Sequence, residues 1–300
     1  MPALKILDNI YWIDFSYNGL FLIEGSKKSA IIETAFPSQF NYVKKNFEKL
    51  GKKIIDFDYL IGTHIHHDHF GAVGHFLKEN PSLKVIVQPK GTKHLIDPRK
   101  LNESAKLALG ERFSLVGEMI PINPHNILNI KDRQIINLGN YKLELIYTPG
   151  HAKHHLIIFE KELRAVFSGD ALANTYPGYP YVVVLPPPDY DYNSALDSIN
   201  KIKSLNPNYL IQSHGGLLPR EDHETLFNEV IKIHKIWLKF IKKLLTNNRN
   251  LKKKEFNNIF KKENPLGFTE NEFEKFYEKY SHVPYMNYNG VKRFIQKSSN

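Results

Sequence analysis

Within six residues of this 300-residue chain stand four histidines and an aspartate, in the stretch Thr63-His64-Ile65-His66-His67-Asp68-His69. A packed core would not gather them, because each buried polar atom would need its own hydrogen-bond partner. Imidazole nitrogens beside a carboxylate are a ligand set for a divalent transition metal. In a tight loop, His64 and His66 can point to one side while Asp68 and His69 point to the other, giving two partial sets. A catalytic zinc usually takes three protein ligands and keeps a fourth position open for water. The remaining ligands must therefore come from elsewhere in the chain. Three other short stretches carry the right residue types: Thr148-Pro149-Gly150-His151, Ser168-Gly169-Asp170 and Gln212-Ser213-His214.

Each of these stretches sits at the same kind of place. Phe57-Asp58-Tyr59-Leu60-Ile61, Tyr141 to Tyr147, Arg164 to Phe167 and Asn208 to Ile211 read as short apolar strands, and each ends in a turn of small residues. Polar groups collect on such turns because the sheet fixes where the loop begins while the loop stays free to carry them. The four strand ends supply seven candidate ligands: His64, His66, Asp68, His69, His151, Asp170 and His214.

The order His64-x-His66-x-Asp68-His69, then His151 after Thr-Pro-Gly, Asp170 in Ser-Gly-Asp, and His214 resembles the metallo-β-lactamase superfamily, in particular its dinuclear hydrolytic branch that includes glyoxalase II. The resemblance covers about residues 1–216 and, as a five-part pattern, is specific. It implies that His64, His66 and His151 bind one metal, that Asp68, His69 and His214 bind a second, and that Asp170 bridges them. Asp68 is also taken as the catalytic residue. The family usually carries an aspartate at the end of an early strand; this chain has Glu33 there, read as an acceptor that orients a ligand histidine. The implied fold is α+β, a four-layer αββα sandwich, with a C-terminal helical extension. The implied cofactors are two divalent ions, zinc first, with iron or manganese also accepted by such ligands.

Composition sets the outer bounds. A hydrophobic share of 42% with 24% charged residues is ordinary for a globular protein, and the chain is long enough for a sizeable core. No stretch of eighteen apolar residues and no basic-then-apolar start is present, so neither a membrane nor secretion is expected and the cytoplasm is the default location. With no cysteine, disulfides and thiolate-ligated zinc are excluded. The net charge of +10 is concentrated at the end: residues 220–300 hold 17 Lys/Arg against 10 Asp/Glu, which is +7 of it. A solvated lysine face is the plain explanation, and nucleic acid is the alternative partner.

Taken in order, Leu4 to Ile32 reads as an antiparallel meander. Pro37-Ser38 opens a helix with Phe40, Val43, Phe47 and Leu50 at helical spacing and Gly51 at its end. Residues 91–117 read as broken helix. Ala171 to Tyr190 is rich in tyrosine and proline and begins one residue past a candidate ligand; Tyr176, Tyr179, Tyr181 and Tyr190 are candidate pocket residues, against a rigid packed connection as the alternative. From Arg220 the pattern is helical, with Leu226, Val230, Ile233, Trp237, Ile241 and Leu244 on one stripe and Lys232, Lys235, Lys239 and Lys242 opposite. Thr269-x-x-Glu272 is a capping box. The expected division is a catalytic domain over 1–219 and a basic helical appendage over 220–300. His67 is the variable position of the motif. The other histidines, His234 among them, are isolated and read as surface or hydrogen-bonded residues; His154 and His155 stand close to His151 and are read as outside the ligand set, with reach into the site as the lesser alternative.

The expected function is hydrolysis of a small ester, thioester or lactone by a hydroxide held between two metals. No serine or cysteine nucleophile is needed. A metal-dependent nuclease using the basic C-terminal helices is the alternative, and a mononuclear iron enzyme resembling persulfide dioxygenases is a more distant one. A flavodiiron protein is disfavoured, since His66 stands where that branch is usually acidic and no flavin domain follows. A small acyl compound is the expected partner, and a homo-oligomer is compatible with the sequence.

Overall fold

A computed structural model describes residues 3–15, 18–246 and 250–298. Among the described residues, twelve strands form two six-stranded mixed sheets. The first runs β1 (Leu4–Leu7), β2 (Ile10–Asp14), β3 (Gly19–Glu24), β4 (Ser29–Ile32), β5 (Tyr59–Ile61) and β6 (Lys84–Ile86), in that spatial order. The first four are antiparallel, as expected of the meander, and β4, β5 and β6 are parallel. The second sheet holds β7 (Gln134–Asn137), β8 (Lys142–Tyr147), β9 (Leu156–Glu160), β10 (Ala165–Phe167), β11 (Tyr209–Gln212) and β12 (Gly216–Leu218), with β10 and β11 parallel.

The helices that follow β4 are α1 (Phe40–Lys49), α2 (His67–Phe70), α3 (Val73–Glu79), α4 (Pro89–Ile96), α5 (Arg99–Leu109) and α6 (Phe113–Val116). Later come α7 (Tyr192–Ser204), α8 (His223–Thr246), α9 (Lys253–Glu263), α10 (Glu270–Tyr280) and α11 (Val283–Ser298). The chain divides into two compact units, one of residues 1–147, 154–169 and 207–217, the other of 148–153, 170–206 and 218–300.

In the first unit, strand alternation sorts the core into two layers. Phe21, Ile23, Ala30, Ile32, Ile61 and Ile86 face Leu143, Leu145, Ile158, Phe167 and Ile211 of the second sheet, so the sheets pack face to face. The intervening residues Leu20, Leu22, Ile31, Leu60 and Val85 point the other way, onto Val43 and Phe47 of α1, Val73 and Phe76 of α3 and Leu95 of α4. Both faces of the central strands are thus buried, which is why they read as unbroken apolar runs rather than alternating ones.

The second unit is built on aromatic residues. Trp237 of α8 stacks on Phe260 of α9 with ring centres 5.3 Å apart, and Phe256 meets Tyr288 of α11 at 4.6 Å. The apolar stripe of α8 is buried from Leu226 to Leu244, while Lys232, Lys235, Lys239 and Lys242 are exposed. Thr269 and Glu272 form the capping box expected at the start of α10.

Candidate metal centre

The first unit brings five of the seven candidate ligands onto the ends of its strands. His64, His66, Asp68 and His69 occupy the turn after β5 and the short α2, and His214 follows β11. Nε2 of His69 lies 3.1 Å from Nε2 of His214, and Oδ2 of Asp68 is 3.7 and 3.5 Å from these two nitrogens. Both imidazoles are buried. The three donor atoms lie within 4.8 Å of one another.

Glu33 holds the far side of the His69 ring. Its carboxylate is fully buried, and a single oxygen, Oε1, is approached by Nδ1 of His69 at 3.1 Å, Oγ1 of Thr63 at 2.5 Å and Oγ of Ser213 at 3.1 Å. A carboxylate oxygen can only accept, so Nδ1 of His69 carries the proton and its Nε2 presents a lone pair. Thr63 spends its one hydroxyl hydrogen on Glu33. Its oxygen must then accept from Nδ1 of His64, 3.0 Å away, so Nε2 is the unprotonated nitrogen of His64 as well. One carboxylate thus sets the tautomers of two histidines, one directly and one through a threonine. A carboxylate oxygen of Glu33 also lies within 4.8 Å of ring nitrogens of His64 and His69, and Oε1 already meets three donor groups.

Backbone geometry puts Glu33 there. Glu33 and Ala35 have φ of 67° and 65°, the left-handed region that costs a non-glycine residue about 1–3 kcal/mol. The kink turns the N–H groups of Thr34 and Ala35 onto the carbonyl of His69, at 2.6 and 3.1 Å, clamping the metal loop to the end of β4. Asn18 adds a side-chain hydrogen bond to the carbonyl of Asp68.

His151 and Asp170 belong to the second unit, where Oδ2 of Asp170 is 3.6 Å from Nε2 of His151. Nδ1 of His151 lies 3.0 Å from the carbonyl of Val184 and donates to it, so Nε2 is the nitrogen left for a ligand bond. The turn before it is pinned to α7: Asp191 N–H donates to Gly150 O at 2.9 Å, and Ser198 Oγ donates to Pro149 O at 2.6 Å. Gly150 has φ of 144° and its missing Cβ would collide with the backbone of Ala195, so no other residue fits.

The remaining sequence candidates separate. His67 turns away from the cluster: its Nε2 donates to Gly117 O at 2.6 Å, and burial lowers its pKa. His154 and His155 are buried, with ring centres 6.4 and 5.1 Å from that of His64. Tyr176 and Tyr179 gather around Lys279 of α10, whose Nζ lies 3.0 and 5.4 Å from their ring centres. Tyr181 is half-buried, and its phenol pKa is raised by that burial. Tyr190 is buried, with its hydroxyl 2.8 Å from Nδ1 of His234. Thr63 and Ser213 are not metal-ligating residue types, so ligand chemistry alone does not single them out. The available signal was their position, each a hydroxyl immediately before a ligand histidine.

The donor set fits a divalent metal. His69 Nε2, His214 Nε2 and Asp68 Oδ2 bring two imidazole nitrogens and a carboxylate oxygen within 4.8 Å of one another, the donor types that a divalent metal takes. Among the described residues no helix is long and apolar enough to cross a membrane.

Comparison with known proteins agrees with this geometry. The family model of the metallo-beta-lactamase superfamily matches residues 20–214. A metallo-beta-lactamase fold-containing protein of Sulfurisphaera tokodaii is 32% identical over 188 residues, 59% of this chain and 69% of that protein. A probable hydroxyacylglutathione hydrolase of Schizosaccharomyces pombe is 29% identical over 159 residues, 52% of this chain and 49% of the relative, so the chain spans about half of that protein's length. The crystal structure of an archaeal metallo-beta-lactamase superfamily protein from Sulfolobus tokodaii shares the fold, with a TM-score of 0.66 at 22% identity over 95% of this chain and 98% of the other. A family match over more than half the chain, enclosing a buried histidine and carboxylate cluster, places this chain in the metallo-β-lactamase superfamily of metal-dependent hydrolases.

Proposed function

We propose that His64, His66 and His151, with Asp68, His69 and His214, hold two divalent ions bridged by Asp170, and that the chain hydrolyses a small ester, thioester or lactone. The observation that carries this reading is the convergence of His69, His214 and Asp68, backed by Glu33. The similarity to a named hydroxyacylglutathione hydrolase supports an acyl substrate. Zinc is the proposed metal, the cytoplasm the proposed location, and the catalytic machinery is assigned to residues 1–219 with 220–300 as a basic helical appendage. When bound, the ions supply Lewis acidity that activates water and polarises the electrophile.

The chain's own residues do the positioning. Glu33 holds His69 directly and His64 through Thr63, so both present Nε2 without a rotamer search. The carbonyl of Val184 does the same for His151. Asp68, the proposed catalytic residue, is only partly buried at its carboxylate and stands at the open side of the cluster.

A second reading, phosphodiester hydrolysis, is favoured by one feature of α8. Lys232, Lys235 and Lys239, with Ile231 and Ile236, line an open groove of about 450 Å³ along that helix. A parallel assay of metal-loaded protein on thioesters and lactones and on labelled RNA and DNA separates the two. Acyl turnover with intact nucleic acid is the expected result; nucleic-acid cleavage with untouched acyl substrates overturns the reading.

A further inference from the structure

We infer that Asn287 of α11 is a positioning residue for the metal ligand His151, acting through the tyrosine- and proline-rich segment 171–190. The inference rests on the reading that His151 binds a metal. Asn287 is fully buried, and its side-chain amide makes two hydrogen bonds to neighbouring peptide groups of one backbone stretch. Its Nδ2 donates to the carbonyl of Val183 at 2.8 Å, and its Oδ1 accepts from the N–H of Leu185 at 2.8 Å. These two bonds bracket Val184, the residue whose carbonyl accepts from Nδ1 of His151 at 3.0 Å.

The relay is a short one. A side-chain amide that both donates and accepts fixes the two peptide planes on either side of Val184, and so fixes where its carbonyl points. That carbonyl selects the tautomer of His151 and holds the plane of its ring. A helix in the last fifth of the chain thereby sets the direction of the Nε2 lone pair.

A second feature of α11 supports the same conclusion. Gly290 lies one turn beyond Asn287, and a Cβ there would collide with the carbonyl oxygen of Leu185. The helix backbone therefore lies directly on the segment that Asn287 grips, and the grip is not an incidental contact of a mobile loop.

The test is cobalt binding to the full chain, followed by absorption spectroscopy and competitive titration, with His151→Ala as reference. Asn287→Leu and the gentler Asn287→Ser are compared with the parent, each shown by circular dichroism to be folded. The expected result is that both variants still bind cobalt, with affinity for one ion lowered about 10–100-fold and a changed ligand-field spectrum, while the other ion is held as in the parent. A folded variant with lowered melting temperature but unchanged affinity and spectrum overturns the inference, because Asn287 would then be structural only. If Asn287→Leu does not fold, Asn287→Ser is read by the same criteria. Failure of the underlying reading looks different: the parent and His151→Ala would then bind cobalt alike.

Discussion

Nδ1 of His69 lies 3.1 Å from Oε1 of Glu33, and the same oxygen takes the hydroxyl of Thr63, which in turn meets Nδ1 of His64 at 3.0 Å. Glu33, one methylene longer than aspartate, meets these groups from a left-handed backbone with φ of 67°. Replacing Glu33 with Gln keeps the size and removes the charge. It is expected to lower metal affinity about 10–100-fold, measured by titration with a chromophoric chelator. Unchanged affinity for both ions would show that the relay does not govern the ligands.

Asp170 and His67 give a contrast within one experiment. Asp170→Ala is expected to abolish metal retention and activity together, since the proposed bridge touches both ions. His67→Ala is expected to keep the metal but lose about 1–3 kcal/mol of stability, the cost of leaving the Gly117 carbonyl without its donor. Urea unfolding and metal analysis on both variants check this; metal loss from His67→Ala would mean the ligand assignment is wrong.

His234 makes the fold sensitive to acid. Complete burial, with a smaller contribution from His151, lowers its pKa from 6.5 to about 3. Between those values the unfolded chain binds a proton that the folded chain refuses, so stability rises with pH across that window. The contribution is fully present above about pH 6.5 and fades as pH falls toward 3. Metal-free protein is the right material, because metal release by protonated ligands then plays no part. His234→Gln should lose less stability between pH 7.5 and 5 than the parent does in urea titrations. Equal losses would assign the acid sensitivity elsewhere.

The lysine groove on α8 is expected to be a solvated face. Lys235→Glu combined with Lys239→Glu should leave acyl hydrolysis within experimental error of the parent. A steep loss of nucleic-acid cleavage in the same variant, with the parent's cleavage falling strongly with salt, would favour the phosphodiesterase reading.

Much of the fold was legible because the chain repeats a few strong signals. The meander of β1 to β4 and the stripe of α8 appear as apolar runs and helical spacing, and the candidate ligands lie on turns that follow such runs. β7 and β12 carry weaker signals for physical reasons. β7 has polar ends and an exposed Ile135, and β12 is three residues long and begins with glycine. Relationships set by strand register were not legible either. Nothing in the sequence places Ser213 beside Glu33, 180 positions earlier. Tyr190 and His234 likewise look unrelated until folding buries them together, 44 positions apart in the chain. Asn287 resembles any other polar residue on an amphipathic helix until its partners are seen.

Metal content tests the account most directly. The purified chain, reconstituted with excess zinc, iron or manganese and freed of unbound ions, is measured by elemental analysis. The proposed ligand sets predict close to two divalent ions per chain. One ion or fewer under every one of those conditions would contradict the dinuclear centre on which the proposed chemistry depends.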